Sequence, residues 1–141
     1  MPASRLYRII MPVAHLDPAQ RFYATLLDQE GVRVSPGRHY FACGDVTLAL
    51  YSPAGDGDDR QPHPNFDHVY FAVEDLDAVY RRAESLGCLS EEIGDGSLQL
   101  GRIAVRPWGE RSFYAHDPFG NPLCFVDATT IFTGKVEGSG A

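Results

Sequence analysis

The sequence predicts an α+β fold made of two tandem β-α-β-β-β modules. Three observations carry that prediction. Two segments with starts sixty positions apart share one grammar: Arg8 to Leu27, RIIMPVAHLDPAQRFYATLL, and His68 to Gly87, HVYFAVEDLDAVYRRAESLG. Each reads as an alternating apolar strand, an acidic helix-start signal and an amphipathic helix. Three short β-rich stretches separated by turn residues then follow each helix.

The elements can be justified in order. Val13 aligns with Val73, Leu16 with Leu76, Asp17 with Asp77, Arg21 with Arg81 and Leu26 with Leu86. Asp17 and Asp77 stand where a helix N-terminus favours an anionic hydrogen-bond acceptor, and Pro18 suits a first helical turn. Phe22, Tyr23, Leu26 and Leu27 recur at helical spacing in the first copy, as do Leu76, Val79, Tyr80, Ala83 and Leu86 in the second, where Gly87 is a natural stop. Strands are expected at GVRVS, HYFACG and VTLALYS, separated by Pro36-Gly37 and Gly44-Asp45 turns. In the second module they are expected at IAVRPW, RSFYAH and PLCFVD. Asp117-Pro118-Phe119-Gly120 supplies a strong turn signal between the last two.

A single domain is expected over residues 1–141. Module one runs from about 5 to 52 and module two from about 66 to 128. The Pro-, Gly- and Asp-rich segment 53–65 reads as an exposed linker, and 129–141 as a loose tail.

Composition narrows the function classes. A chain of 141 residues can bury a core without disulfide staples. Its 44% hydrophobic and 22% charged residues describe an ordinary globular chain. The net charge of −7 argues against nucleic acid as a partner and suits a cationic small ligand as well as plain solubility. No apolar run is long enough to span a bilayer, and the N-terminus lacks a cleavable leader pattern. Cys43, Cys88 and Cys124 show no Cys-x-x-Cys spacing, so reduced thiols and a cytoplasmic location are expected.

Strand parity marks a candidate site. Ile9, Met11 and Val13 share one face with Val69, Phe71 and Val73, which suits contact with a helix. The opposite face carries Arg8 and Ile10 in one copy and His68, Tyr70 and Ala72 in the other. Arginine, histidine and tyrosine together are unusual for a dry core.

The FY pair in the first helix, HVYFAVEDLDA opening the second half and WGERSFYAHDPFGN closing it resemble the vicinal oxygen chelate superfamily. That superfamily includes glyoxalases, extradiol dioxygenases, fosfomycin-resistance enzymes and bleomycin-resistance proteins. The resemblance covers about Leu6 to Asp127 and says little about the reaction. It implies an open, cup-shaped mixed β-sheet with the helices outside, and commonly a homodimer. Members that use a metal draw one ligand from the first and one from the last strand of each module. By alignment those positions are Arg8, Ala49, His68 and Cys124. Arg8 has no lone pair to donate and Ala49 has no donor atom. His68 and Cys124 alone fall short of the three protein ligands of a catalytic zinc site.

The expectation is therefore a metal-free, cofactor-free small-molecule-binding protein of the bleomycin-resistance type. An aromatic or cationic ligand would be lined by Arg8, Ala49, His68, Tyr70, Trp108, Tyr114 and Cys124, with Tyr40 a further stacking candidate. Each of these also has a plainer reading: His68 hydrogen-bonded within the pocket, Cys124 a small buried hydrophobe, Trp108 a core residue, His116 a hairpin end. The alternative is a lyase, isomerase or dioxygenase-like enzyme. It would use an atypical divalent-metal site around His68, with Glu110 or His116 recruited, or His68 as a metal-free general base. A scaffold with a filled cup is the third possibility.

Overall fold

The computed structural model describes residues 3–94 and 99–134. Both expected modules are present. In the first, β1 (Arg8–Pro12), α1 (Leu16–Leu27), β2 (Val32–Ser35), β3 (Arg38–Cys43) and β4 (Val46–Tyr51) follow in order. The second repeats the pattern with β5 (Val69–Val73), α2 (Leu76–Ser85), β6 (Ala104–Val105), β7 (Arg111–His116) and β8 (Pro122–Asp127). Each forms a four-stranded mixed sheet, ordered β1-β4-β3-β2 and β5-β8-β7-β6. The first strand runs parallel to the last, and the other pairings are antiparallel. No helix among the described residues is long and apolar enough to cross a membrane.

Contacts divide the chain into two compact units, Met1–Asp67 with Asp117–Asn121, and His68–His116 with Pro122–Ala141. In the first unit, α1 buries Leu16, Ala19, Phe22, Tyr23 and Leu26 over a sheet face that carries the buried Met11, Phe41, Leu48 and Leu50. Alternation puts the residues between them on the other face, so Ile10 is exposed while Met11 is not. The second unit follows the same rule. Phe71, Phe125 and Phe113 stack across three strands with ring centroids 4.9 and 5.4 Å apart, and Tyr80 of α2 meets Phe113 edge-on at 5.2 Å.

Three local expectations need correction. Asp17 and Asp77 lie in the first turns of the helices but cap neither. Asp75 caps α2 by accepting from the Ala78 N–H, whereas His15 stands at the α1 cap with no side-chain bond. The two first-turn aspartates instead pair with Arg33 at 2.9 Å and Arg111 at 3.2 Å. The stretch IAVRPW yields only a two-residue strand, because the chain turns at Pro107-Trp108-Gly109, where the Arg106 N–H donates to the Glu110 carbonyl and the Gly109 N–H to the Arg106 carbonyl. The linker and tail are also less featureless than their composition suggests. Pro53–Asp56 and Ala128–Thr130 form 3-10 turns, the latter capped by Asp127, while the expected loose stretch 135–141 lies outside the described residues.

The turn Asp117–Asn121 joins β7 to β8 yet belongs to the first unit. Its polar groups are buried and closely paired. One Asp117 oxygen, Oδ1, accepts from the Phe119 and Asn121 backbone N–H groups, both at 2.8 Å. The other, Oδ2, accepts from the Tyr23 hydroxyl at 2.7 Å and from Asn121 Nδ2 at 2.8 Å. Asn121 Nδ2 also donates to the Pro12 carbonyl, and its Oδ1 accepts from the Asn65 N–H. Gly120 takes φ +90°, a conformation open to glycine, with the Pro64 ring beside it.

Buried polar groups are costly unless they are hydrogen-bonded, so this cluster makes a sharp stability test. Tyr23→Phe should lower the unfolding free energy by roughly 1.5–3 kcal/mol, the scale of a hydrogen bond to a buried carboxyl group. Urea unfolding measures it, and a midpoint equal to wild type would show that the Tyr23–Asp117 bond contributes nothing.

Candidate functional site

The helix-free face of the second sheet gathers five of the sequence-derived candidates. Tyr70 on β5 and Tyr114 on β7 are both register partners of Cys124 on β8. His68, just before β5, meets the Tyr114 ring edge-on at 4.9 Å and lies 6.3 Å from the Tyr70 ring. Trp108, in the turn between β6 and β7, sits farther along the same face and lines a cleft with Tyr70. Arg8 and Ala49 belong to the other unit. Arg8 lies over the rings of Tyr7 and Tyr40 at 5.0 and 5.5 Å, and Ala49 is fully buried opposite Ile10. His116 ends β7 and is exposed, with its N–H donating to the Cys88 carbonyl.

Burial sets the chemistry of the inner part of this face. The Tyr114 phenol is pushed well above its ordinary range, first by burial and then by the neighbouring Cys124 and Tyr70. Burial likewise pushes the Cys124 thiol up to about 11, against the opposing pull of Ser112, Tyr114 and Arg106. Both groups therefore stay protonated at neutral pH.

Sequence reasoning missed Arg106, which is only 3% exposed. Its Nε donates to Ser112 Oγ at 3.0 Å. Its Nη2 reaches the carbonyl oxygens of Ser112, Arg102 and Leu100 at 2.8, 3.0 and 3.2 Å. The guanidinium carbon lies 5.0 Å from the Tyr114 ring centre, and Nη1 has no hydrogen-bond partner. The signal available in the sequence was an arginine inside the apolar run IAVRPW, in step with Ala104 and hence facing the same way as its cross-strand partner Ser112. The cation that acts on Cys124 is this one.

The cleft itself encloses about 400 Å³. Its walls are Tyr70, Trp108, Ile131 and Phe132, all substantially exposed, over a floor that includes Ala72 and Val126. Glu110 ties the walls together. One carboxylate oxygen accepts from the Trp108 indole N–H at 2.8 Å and the other from the Phe132 N–H at 2.9 Å. Each oxygen retains a free lone pair.

The residues do not fit a divalent metal. Among the described residues no group of three His, Cys, Asp or Glu side chains is placed to hold one. The four positions implied by the resemblance carry a guanidinium, a methyl group, one imidazole and one thiol, two donors at most where a catalytic zinc site draws on three.

With this geometry in hand, the comparisons define the class. Residues 5–125 match the Glyoxalase/Bleomycin resistance protein/Dioxygenase superfamily, and the chain belongs to it. Similar solved structures include a lactoylglutathione lyase from Agrobacterium tumefaciens, 24% identical, with a TM-score of 0.64 and coverage of 90% of this chain and 96% of that one. A bleomycin resistance determinant encoded on the transposon Tn5 is 20% identical, with a TM-score of 0.62 over 88% and 98% of the two chains. The oxidase ChaP-H1 is 24% identical, with a TM-score of 0.68 over 89% and 96%. At these identities the likeness concerns the fold, and the three names span different activities. No curated protein matches the sequence significantly.

The raised thiol pKa gives a direct test of the inner face. With a pKa near 11, the thiolate fraction of Cys124 at pH 7 is on the order of 10⁻⁴. Brief alkylation of the native protein at pH 7.5, mapped by mass spectrometry, should label the partly buried Cys43, whose thiol burial also pushes up, well ahead of the fully buried Cys124. Labelling of Cys124 as fast as Cys43 would refute the burial account.

Proposed function

We propose that the chain is a metal-free binding protein for a planar, cationic small molecule, working as a homodimer of the bleomycin-resistance type. The observation that carries this reading is the cleft of Tyr70, Trp108 and Phe132 around Glu110. Aromatic faces attract both planar rings and cations. The Glu110 carboxylate adds a negative charge at the wall, and the chain's net charge of −7 favours the approach of a cation. The donor set at the four aligned positions supports function without a metal. The dimer rests on the family alone, whose members often pair. Cytoplasmic location is kept as part of the proposal, on the three cysteines free of disulfides.

His68 favours a second, enzymatic reading, since it stands against Tyr114 on the same face as the cleft. An imidazole beside a protonated phenol is a suitable pair for moving a proton on a bound substrate.

Trp108 is the single tryptophan, so its fluorescence reports the cleft without labelling. Titration with planar aromatic cations, including an acridine dye and a bleomycin-type glycopeptide, should quench it saturably. Glu110→Gln should weaken binding by about tenfold, the scale of one charge-assisted contact. Absence of any fluorescence or heat change across the panel would reject the binding reading. A stoichiometric divalent metal in protein purified without chelators would move the assignment to the enzymes. Sedimentation at micromolar concentration should give twice the chain mass.

A further inference from the structure

The duplication places a second cleft at the corresponding position of the first unit. Strand β1 aligns with β5, so Ile10 corresponds to Tyr70 and Pro12 to Ala72. Pro12 is the register partner of Tyr51, and Ala72 that of Val126, so Tyr51 corresponds to Val126. Ile10, Pro12 and Tyr51 line a pocket of about 470 Å³ in the first unit, just as their counterparts line the cleft around Glu110 in the second. One element position has thus been kept twice with different side chains.

The chemistry of the two pockets is opposite. Arg38, Arg60 and His63 line the first-unit pocket, and none of its lining residues is acidic. That is notable in a chain with 19 acidic and 12 basic side chains. Tyr51 holds both arginines in place. The Arg38 guanidinium lies 4.2 Å from its ring centre and that of Arg60 5.8 Å, and Arg60 Nη2 donates to the Tyr51 hydroxyl at 3.4 Å. Asp58 stands close by, its Oδ2 accepting from the Tyr51 hydroxyl at 3.1 Å. Asp58 pairs with Arg60 through Nε at 2.9 Å, and Asp56 approaches Arg38 Nε only to 3.8 Å. The Nη2 group of Arg38 makes no hydrogen bond among the described residues, and its Nη1 has only the Tyr40 hydroxyl at 3.4 Å. Guanidinium groups stacked on an aromatic ring are oriented in advance for oxyanions, and the Ile10, Pro12 and Pro53 side of the pocket is apolar.

We infer that the first-unit pocket is a binding site for a small organic anion, a carboxylate or phosphate attached to a flat apolar body. The anionic group lies against Arg38 and Arg60, and the apolar body lies on Ile10 and Pro12. This site is lined by different residues from the cation cleft and does not depend on that assignment.

The test is titration of the full chain with benzoate, phenyl phosphate, inorganic phosphate, benzamide and benzylamine, followed by backbone amide shifts in NMR. Benzoate or phenyl phosphate should shift the resonances of Arg38, Tyr51 and Arg60 saturably, and the better of the two identifies the anionic group. Benzamide and benzylamine should leave them in place. Inorganic phosphate should bind at least tenfold more weakly than phenyl phosphate, since it lacks the apolar body. Arg60→Gln removes a mostly exposed side chain and should keep the fold. It should weaken binding by about tenfold, and raising the salt should weaken wild-type binding further. Trp108→Ala should leave this titration unchanged, which separates it from the cation cleft. Equal binding of benzamide and benzoate would overturn the proposal. So would no saturable shift with either organic anion, equal binding of the two phosphates, or an unchanged affinity in Arg60→Gln.

Discussion

A four-stranded sheet has two faces, and one amphipathic helix can cover only one of them. That constraint acts on both units, and the rest of the molecule follows from it. The covered faces are filled by Met11, Phe41, Leu48 and Leu50 under α1 in the first unit and by the Phe71–Phe125–Phe113 stack in the second. The uncovered faces hold the arginines, tyrosines, histidine and carboxylate that a dry core would exclude.

Duplication makes the two uncovered faces comparable residue by residue. The inner region of the second face holds neutral donors, the Tyr114 phenol and Cys124 thiol, beside the buried cation of Arg106. Its outer region is aromatic and anchored by Glu110. At the equivalent outer position of the first face, Tyr51 orders two arginines. The scaffold has been kept while its lining changed sign, which is how one superfamily fold comes to serve proteins with such different names. The buried polar groups of the Asp117 turn contribute to the scaffold. Every bond they make goes to backbone, Tyr23 or Asn121, and none points into a cleft.

Much of the fold was legible because its signals are local. Alternation separated Met11 from Ile10 and Phe71 from Tyr70, and turn residues separated the strands. Legibility failed where a side chain answered to something distant. Asp17 looked like a helix cap but answers to Arg33, and Arg106 looked like a strand residue but folds inward to carbonyls from three other positions. At the site, parity put His68 and Tyr70 on one face, the resemblance pointed to Cys124, and Tyr114 was singled out only as an aromatic. Phe132 and Ile131 were read as part of a loose tail, and nothing local tied them to Glu110.

By itself the sequence determined the two modules, the order of their elements and the face on which each candidate stands. Periodicity, turn chemistry and side-chain donor capacity are properties of short segments, and they hold before any folding. Only the tertiary structure decided which residues share a cleft, which thiol and phenol are desolvated, and which cation is buried among carbonyl oxygens. Those properties depend on every atom that replaces water around a group, and the atoms come from segments far apart in the chain.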